Sequence, residues 1–516
     1  MKPSTELFVL IKSLTKSEKR FFKLSSSIQT GDKNYLKIFD FIDDQEVYDE
    51  EALKNHFKDE NFIKHLPSEK NHLYKLILKS LRSFYSEQSV SSILKEELKN
   101  IEILYNKALF KECRKFLKRA KRIAEENEKF YYLFELISWE KRLTEESYEA
   151  GDFDVDLNKI IEEESIVLDK LRNLAEYHVL YSRINAIFRS GGFTRNEQER
   201  ETVREISDNY LIKGKNTAIS TRAASICYYI KGLCAAANRD FSDSYVFFNR
   251  TKEILDNNEK LRQDLGKRYV LTLYHLMRCY MDERNFDMAH KMIENIGSLK
   301  GEKGFGSTDL TLKIMSISLV DQMNIYNLRG DFEKAFELYE SNEAYTKNVL
   351  EQASKEQRVK LSYTLAYTYF GMQEYRQALN VINEILNDNE QNLRQDLYSF
   401  ARILNLMVHF ELENFDLIEY SSGATLRYLN KTERDYQIEI FFVKELKRLA
   451  KNPDKVRNPK SYRSMEESLR KLLDNPNERV ILDYIDVLSW TKSKKDQLNF
   501  DGAIRIGESN SKTDLC

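Results

Sequence analysis

Helix breakers are scarce in this chain, with 16 glycines and 5 prolines in 516 residues. Proline removes a backbone donor and glycine costs backbone entropy, so their scarcity excludes a loop-rich fold and fits a chain that is helical almost throughout. Cysteine is equally thin. Cys113, Cys227, Cys234, Cys279 and Cys516 show no CxxC pairing, which argues against a disulfide framework and for reduced thiols in a cytoplasmic protein. Cys227 and Cys234 lie seven apart on one helical face, a spacing that suits core packing. No stretch approaches the roughly 20 apolar residues of a membrane span. The run Leu7–Ile11 is too short for a signal peptide and no cleavage site follows it. The net charge is −2, so no whole-protein field draws the chain to nucleic acid or membrane.

Catalytic signatures are missing too. The histidines are His56, His65, His72, His178, His275, His290 and His409. None forms HExxH or pairs with cysteine at metal-ligand spacing. No GxSxG, GxxxxGK or strand-borne GxGxxG is present. The expectation is a protein that is not an enzyme, with no cofactor and no metal.

What the chain does have is 30 tyrosines and 29 phenylalanines, and a recurring punctuation. A residue that is usually Asp, Asn or Gly precedes a single aromatic at Asp152-Phe153, Gly192-Phe193, Asp240-Phe241, Asn285-Phe286, Asp331-Phe332, Glu374-Tyr375 and Asn414-Phe415. The spacings are 40, 48, 45, 46, 43 and 40 residues, a near-fixed period that marks a stacked helical-repeat array. A small residue follows the aromatic by three (Ser244, Ala289, Ala335, Ala378) and a large apolar one by seven (Phe248, Ile293, Tyr339, Ile382), all on one helical face. An earlier unit reads Phe110, Cys113, Leu117 and Ala120. Each block predicts an amphipathic helix, a tight turn and a second helix that approaches closely over the small residue.

This progression resembles the tetratricopeptide repeat over roughly residues 94 to 430. It is clearest at 228–251, 273–296, 320–342 and 361–385. The period exceeds the usual one of about 34, and Asp156, Asn196 and Ile418 stand where the units at Phe153, Phe193 and Phe415 should have a small residue. The resemblance implies an all-α, TPR-like α-solenoid of antiparallel helix pairs over residues 91–450. An unrelated helical bundle is the alternative.

Residues 1–90 read as a separate N-terminal helical domain. Thr15 and Glu18 have capping-box spacing, Tyr35 to Ile42 is amphipathic, Asp49-Glu50-Glu51 opens a short helix, and Pro67 opens a long one. Leu10-Ile11-Lys12-Ser13-Leu14 and Ser17-Glu18-Lys19-Arg20-Phe21-Phe22-Lys23-Leu24 resemble the opening of a family of uncharacterised bacterial, Bacteroidetes-type proteins. That implies a bacterial, cytoplasmic setting and supplies no activity. Asn452-Pro453 and Asn458-Pro459 read as a linker. Met465 to Leu473 and Val480 to Trp490 read as two helices of a C-terminal cap over 451–498. Residues 499–516 read as a disordered tail.

In TPR-type stacking the first helix of each pair lines the concave face. The inward positions are then Tyr229 and Leu233, Tyr274, Arg278 and Met281, Asn324 and Asn327, Tyr363, Tyr367 and Phe370, and Met407 and Phe410. Aromatics are enriched at interfaces, asparagine amides can hold an extended backbone, and arginine can take a carboxylate. The expected function is a non-enzymatic protein- or peptide-binding scaffold. The same strip is simply core if longer helices close the array. Another reading uses the run 111–122, where Arg114, Lys115, Lys118, Arg119, Lys121 and Arg122 face outward, or the cation-rich stretch 444–471, for a nucleic-acid-contacting regulator. Neither run interleaves exposed aromatics as a single-strand platform would.

Overall fold

The structure, a computed structural model, describes residues 5–27, 34–151, 156–342, 346 and 353–513. Among these residues every regular element is a helix, so the protein is all-α. Its contacts form two compact units, Met1–Val167 and Leu168–Cys516. The boundary falls inside the 35-residue helix Leu157–Gly191.

In the first unit the cap signals act as the residue types require. The Thr15 N–H donates to the Glu18 carboxylate at 2.6 Å, and the Glu18 N–H donates back to the Thr15 hydroxyl at 3.3 Å. This reciprocal box opens Lys16–Ser27. Asp49 caps Glu50–His56 through the Ala52 N–H, and Pro67 stands in the first turn of Leu66–Phe84. Leu7, Ile11, Phe22, Phe39, Leu53, Leu73 and Ile77 close one core. Val90–Asn106, Phe110–Glu126 and Phe130–Glu149 then pack in succession, with Cys113, Leu117 and Ala120 buried.

In the second unit five helix pairs follow one another. They are Thr221–Ala237 with Phe241–Asp256, Gly266–Asp282 with Phe286–Ser298, Gln322–Leu328 with Phe332–Ser341, Lys355–Gly371 with Tyr375–Leu386, and Gln395–Glu411 with Phe415–Lys431. One turn joins every pair. The residue two before the aromatic is left-handed, with φ of 59° at Arg239, 56° at Arg284, 71° at Gly330, 65° at Gln373 and 56° at Glu413. The next N–H reaches back across the helix end: Asp240 to Ala235 O, Asn285 to Tyr280 O, Asp331 to Tyr326 O, Glu374 to Tyr369 O and Asn414 to His409 O, all at 2.9 Å. This is a Schellman closure whose last residue is also the N-cap of the following helix. The aromatic is the first residue of that helix. Ser244, Ala289, Ala335 and Ala378, three further on, are fully buried, as close approach requires.

Several expectations change. Asp152-Phe153 lies outside the described residues. Phe193 starts no helix, because Asn196, at the expected small-residue position, is the cap of Glu197–Asp208. Phe415 does start one, and Ile418 is fully buried despite its size. Pro453 and Pro459 open helices Pro453–Val456 and Pro459–Leu473, as proline's preset φ favours at a first turn. Val480 to Trp490 is not one helix. A 3₁₀ turn spans Pro476–Asp483, and a new helix, Val487–Asp496, starts under an Asp486 cap. The stretch read as a disordered tail is helical over Phe500–Thr513. Phe500, Ala503 and Ile504 share one face and are buried, with the Phe500 ring 5.8 Å from that of Phe332. Three apolar residues at helical spacing suffice to dock a polar segment.

Two substitutions test the pair geometry. A Cβ on Gly371 would stand 2.2 Å from the Phe332 ring, so Gly371→Ala is expected to cost about 1–3 kcal/mol of unfolding free energy. Glu413 is exposed and left-handed, so Glu413→Gly is expected to add about 0.5–1 kcal/mol. Urea titration of both variants measures the two signs.

Candidate binding cavity

The inner faces of the second unit surround a cavity of ≈ 200 Å³. Tyr229, Leu233, Tyr274, Arg278, Met281, Asn324, Asn327, Tyr363 and Tyr367 all line it. Phe370, Met407 and Phe410 do not. Phe410 packs edge-on against Phe415 and Trp490, and Met407 is fully buried. These three are core: the helix that carries Trp490 covers Phe410 of the last pair, and Phe370 of the fourth pair packs against Tyr375 and Phe500.

The lining residues divide by what their polar atoms already hold. The Asn327 amide donates to the Thr368 hydroxyl at 3.0 Å, and that hydroxyl donates back at 3.1 Å. Asn327 is therefore a tie between helices, not the free peptide clamp its spacing suggested. Asn324 accepts from the Thr364 hydroxyl at 3.1 Å. The Tyr363 hydroxyl donates to Tyr484 O at 3.2 Å, and the Asp486 N–H donates to the Tyr367 hydroxyl at 3.1 Å. Both tyrosines thus hold the segment that comes after the 3₁₀ turn. Tyr229 is buried among Tyr181, Phe248 and His275.

Arg278 is half-buried, with 22% of its side-chain surface accessible. That suits a residue of the cavity wall. Its expected carboxylate comes from the chain itself, Asp483 at 3.5 Å. Burial would lower the guanidinium pKa, but Asp483 raises it. Asp483 also pairs with Arg239 at 2.5 Å. Lys360 pairs with the fully buried Asp321 at 2.8 Å and stands 5.1 Å above the Tyr274 ring. Arg189 binds Glu356, and Arg394 reaches the same carboxylate at 3.6 Å and Asp396 at 2.5 Å. A lone buried charge is costly, and this partnering keeps each ion tolerable.

Counting from the small residue of each pair missed much of the wall. Phe188, Arg189, Gly192 and Phe193 come from the end of Leu157–Gly191 and the turn after it, Lys313, Ser316 and Ile317 from the segment before the third pair, and Asp483 and Tyr484 from the C-terminal region. None belongs to a first helix. Only Gly191-Gly192 carried a signal, that of an inter-helix turn where glycine is wanted for backbone reasons; a Cβ on Gly192 would stand 3.0 Å from the Asp396 carboxylate. The missed tyrosine, Tyr484, stacks on Phe400 at 4.1 Å and donates to Asp396.

The basic helix of the first unit looks different in place. Arg119 pairs with Glu97 at 2.6 Å, and Lys121 with Glu140 at 2.6 Å and Glu163 at 2.8 Å. Arg122 has Glu126 at 3.9 Å, and Arg114 donates to Leu143 O at 3.1 Å. Lys115 and Lys118 are exposed and form no ion pair among the described residues. In the second run Arg448 pairs with Glu445, Lys451 with Glu419 and Arg470 with Glu466. Cys113, Cys227, Cys234 and Cys279 are free and buried, and Cys516 lies outside the described residues. Among the described residues no group of three His, Cys, Asp or Glu gathers as a metal would need, and no helix is long and apolar enough to cross a membrane.

The described residues thus define an all-α protein of consecutive helix pairs around a charged, aromatic cavity. In comparison with known proteins, no family model matches the chain, and no curated protein matches it.

His275, in the cavity wall, lies flat on Phe248 with ring centroids 4.6 Å apart. Burial, followed by the Arg278 charge, pushes its pKa down to about 3. The unfolded chain takes up this proton near pH 6.5 and the folded one does not. Its contribution is therefore whole above pH 6.5 and is lost as pH falls from there toward 3. His275→Phe is expected to flatten the decline of the urea midpoint between pH 6.5 and pH 4; an unchanged slope would place the acid sensitivity elsewhere.

Proposed function

We propose that the protein works by binding and not by catalysis, as a cytoplasmic scaffold of TPR-like α-solenoid type. Its binding site is the cavity on the inner helix faces, which receives a short extended segment of a partner polypeptide. The observation that carries this reading is the convergence of Tyr229, Tyr274, Arg278, Asn324, Asn327, Tyr363 and Tyr367 on one cavity. Repeat spacing alone points to these residues, and they come from four successive helix pairs. Aromatic walls give large contact area at low entropy cost, and a few polar atoms set register. A volume of this size takes a few side chains of an extended segment.

The nucleic-acid reading gains no support from the ion pairing of Arg119, Lys121 and Arg122, since phosphate binding draws on cations whose charge is not already matched.

Ser316 lines the cavity and is only half-buried, so Ser316→Phe fills it from a tolerant position. Affinity capture from the native lysate, with and without nuclease, is expected to recover a discrete protein partner with the wild type and to lose it with folded Ser316→Phe. Capture that survives Ser316→Phe, or that depends on nucleic acid and on Lys115 and Lys118, overturns the assignment.

A further inference from the structure

One cation of the cavity wall stands apart from the compensated set. Lys313, on Thr308–Ser316, has no ion pair and no side-chain hydrogen bond among the described residues. The carboxylates around it are taken. Glu356 serves Arg189 and Arg394, and Asp309 pairs with Lys267 at 2.8 Å. The other cations that line the cavity each meet a carboxylate, Lys360 on Asp321, Arg394 on Asp396, and Arg278 on Asp483, which Arg239 shares. Lys313 is the lining cation without an ion pair among the described residues. Burial lowers the ammonium pKa, while Glu356 and Asp309 raise it against the opposing push of Arg189 and Lys267.

A half-buried ammonium that lines a cavity and has no carboxylate on it offers its donors to whatever oxyanion enters. A second feature marks the same segment. Ile317–Asp321, directly after the Lys313 helix, is a π turn that interrupts the run of helix. Such turns weaken the regular ladder and concentrate at functional sites. Phe188, Tyr274, Tyr363 and Tyr367 supply ring walls to the same cavity.

We propose that the cavity binds a small anionic molecule that carries a planar ring, with its phosphate or carboxylate on Lys313 beside Arg189 and its ring among the cavity aromatics. This rests on the cavity being the binding site and goes beyond the scaffold reading: such a molecule is an effector that competes with the partner segment. Lys313 attracts the anion and donates to it, and the rings hold the remainder by stacking.

The test uses the full chain and defined probes. AMP and phenyl phosphate carry ring and phosphate, benzoate carries ring and carboxylate, adenosine and phenol carry the ring alone, and inorganic phosphate carries the anion alone. Calorimetric titration is expected to show AMP or phenyl phosphate binding about tenfold or more tightly than its uncharged counterpart, with benzoate separating carboxylate from phosphate as the preferred anion. Lys313→Met should remove that preference, while Lys313→Arg should keep it. Ser316→Phe should abolish binding of every ring-bearing probe. Binding of charged and uncharged probes with equal affinity, a preference that persists in Lys313→Met, or binding unaffected by Ser316→Phe overturns the proposal. So does the absence of binding by all probes; in that case partner capture that is still sensitive to Ser316→Phe leaves the scaffold reading standing.

Discussion

Everything in the second unit depends on one turn. A helix ends on a left-handed residue, its carbonyls are closed by the next N–H, and that same next residue caps the following helix. No residue is left over for a loop, so the second helix must fold back at once. Its first side chain, the recurrent aromatic, is driven against the helix just completed or against its neighbour. Phe332 shows how tight this is, with its ring filling the space where Gly371 lacks a side chain. Only Gly330 among the five left-handed turn residues is a glycine; Arg239, Arg284, Gln373 and Glu413 take that conformation at some cost. The close packing of the two helices offsets it.

A stack of such pairs has an inner face that cannot be all apolar without becoming solid core. Here the cavity lining carries ions beside its rings. Arg278, Lys360 and Arg394 each need a carboxylate within reach, and Asp483, Asp321 and Asp396 supply it from three different segments. Arg278–Asp483 and Lys360–Asp321 tie separate segments of the wall together, while Arg394–Asp396 is local, between residues two apart. A buried ion pair contributes little net stability, so the network is better understood as a device for fixing a shape. It sets where Tyr274 and Lys360 stand, and it keeps Asp483 between Arg239 and Arg278.

The helical period, the cap boxes and the core were open to sequence reasoning because they rest on local rules. Asp240 and Asn285 cap the next helix whatever the tertiary context, and Ala289 or Ala378 must be small wherever two helices touch. The cavity was half legible. Tyr274 and Arg278 fall on the inner face by counting, but Asn327 also does, and only its partner Thr368 reveals that its amide is spent. Phe410 illustrates the other limit. It obeys the count and is core, because Trp490, eighty residues on, covers it with its Nε1–H held by Glu411 at 2.7 Å. Long-range closure of that kind leaves no periodic trace. The helix Phe500–Thr513 was missed for a similar reason, since its composition is polar and three docked residues decide its fate.

The C-terminal region completes the site as well as the fold. Asp483 and Tyr484 lie in the wall, Tyr363 and Tyr367 hold the backbone around them, and the Arg394 guanidinium binds Asp396, which also accepts from the Tyr484 hydroxyl. A segment that merely capped the last pair would have no need to reach the Arg278 of the second pair with a carboxylate. By doing so it neutralises one of the cations that an incoming anion would otherwise meet. What remains uncompensated is Lys313, on the side where the π turn breaks the helix. The charge pattern of the wall thus narrows from several cations to a single one. A wall with one unmatched charge can distinguish a ligand by where that ligand carries its own.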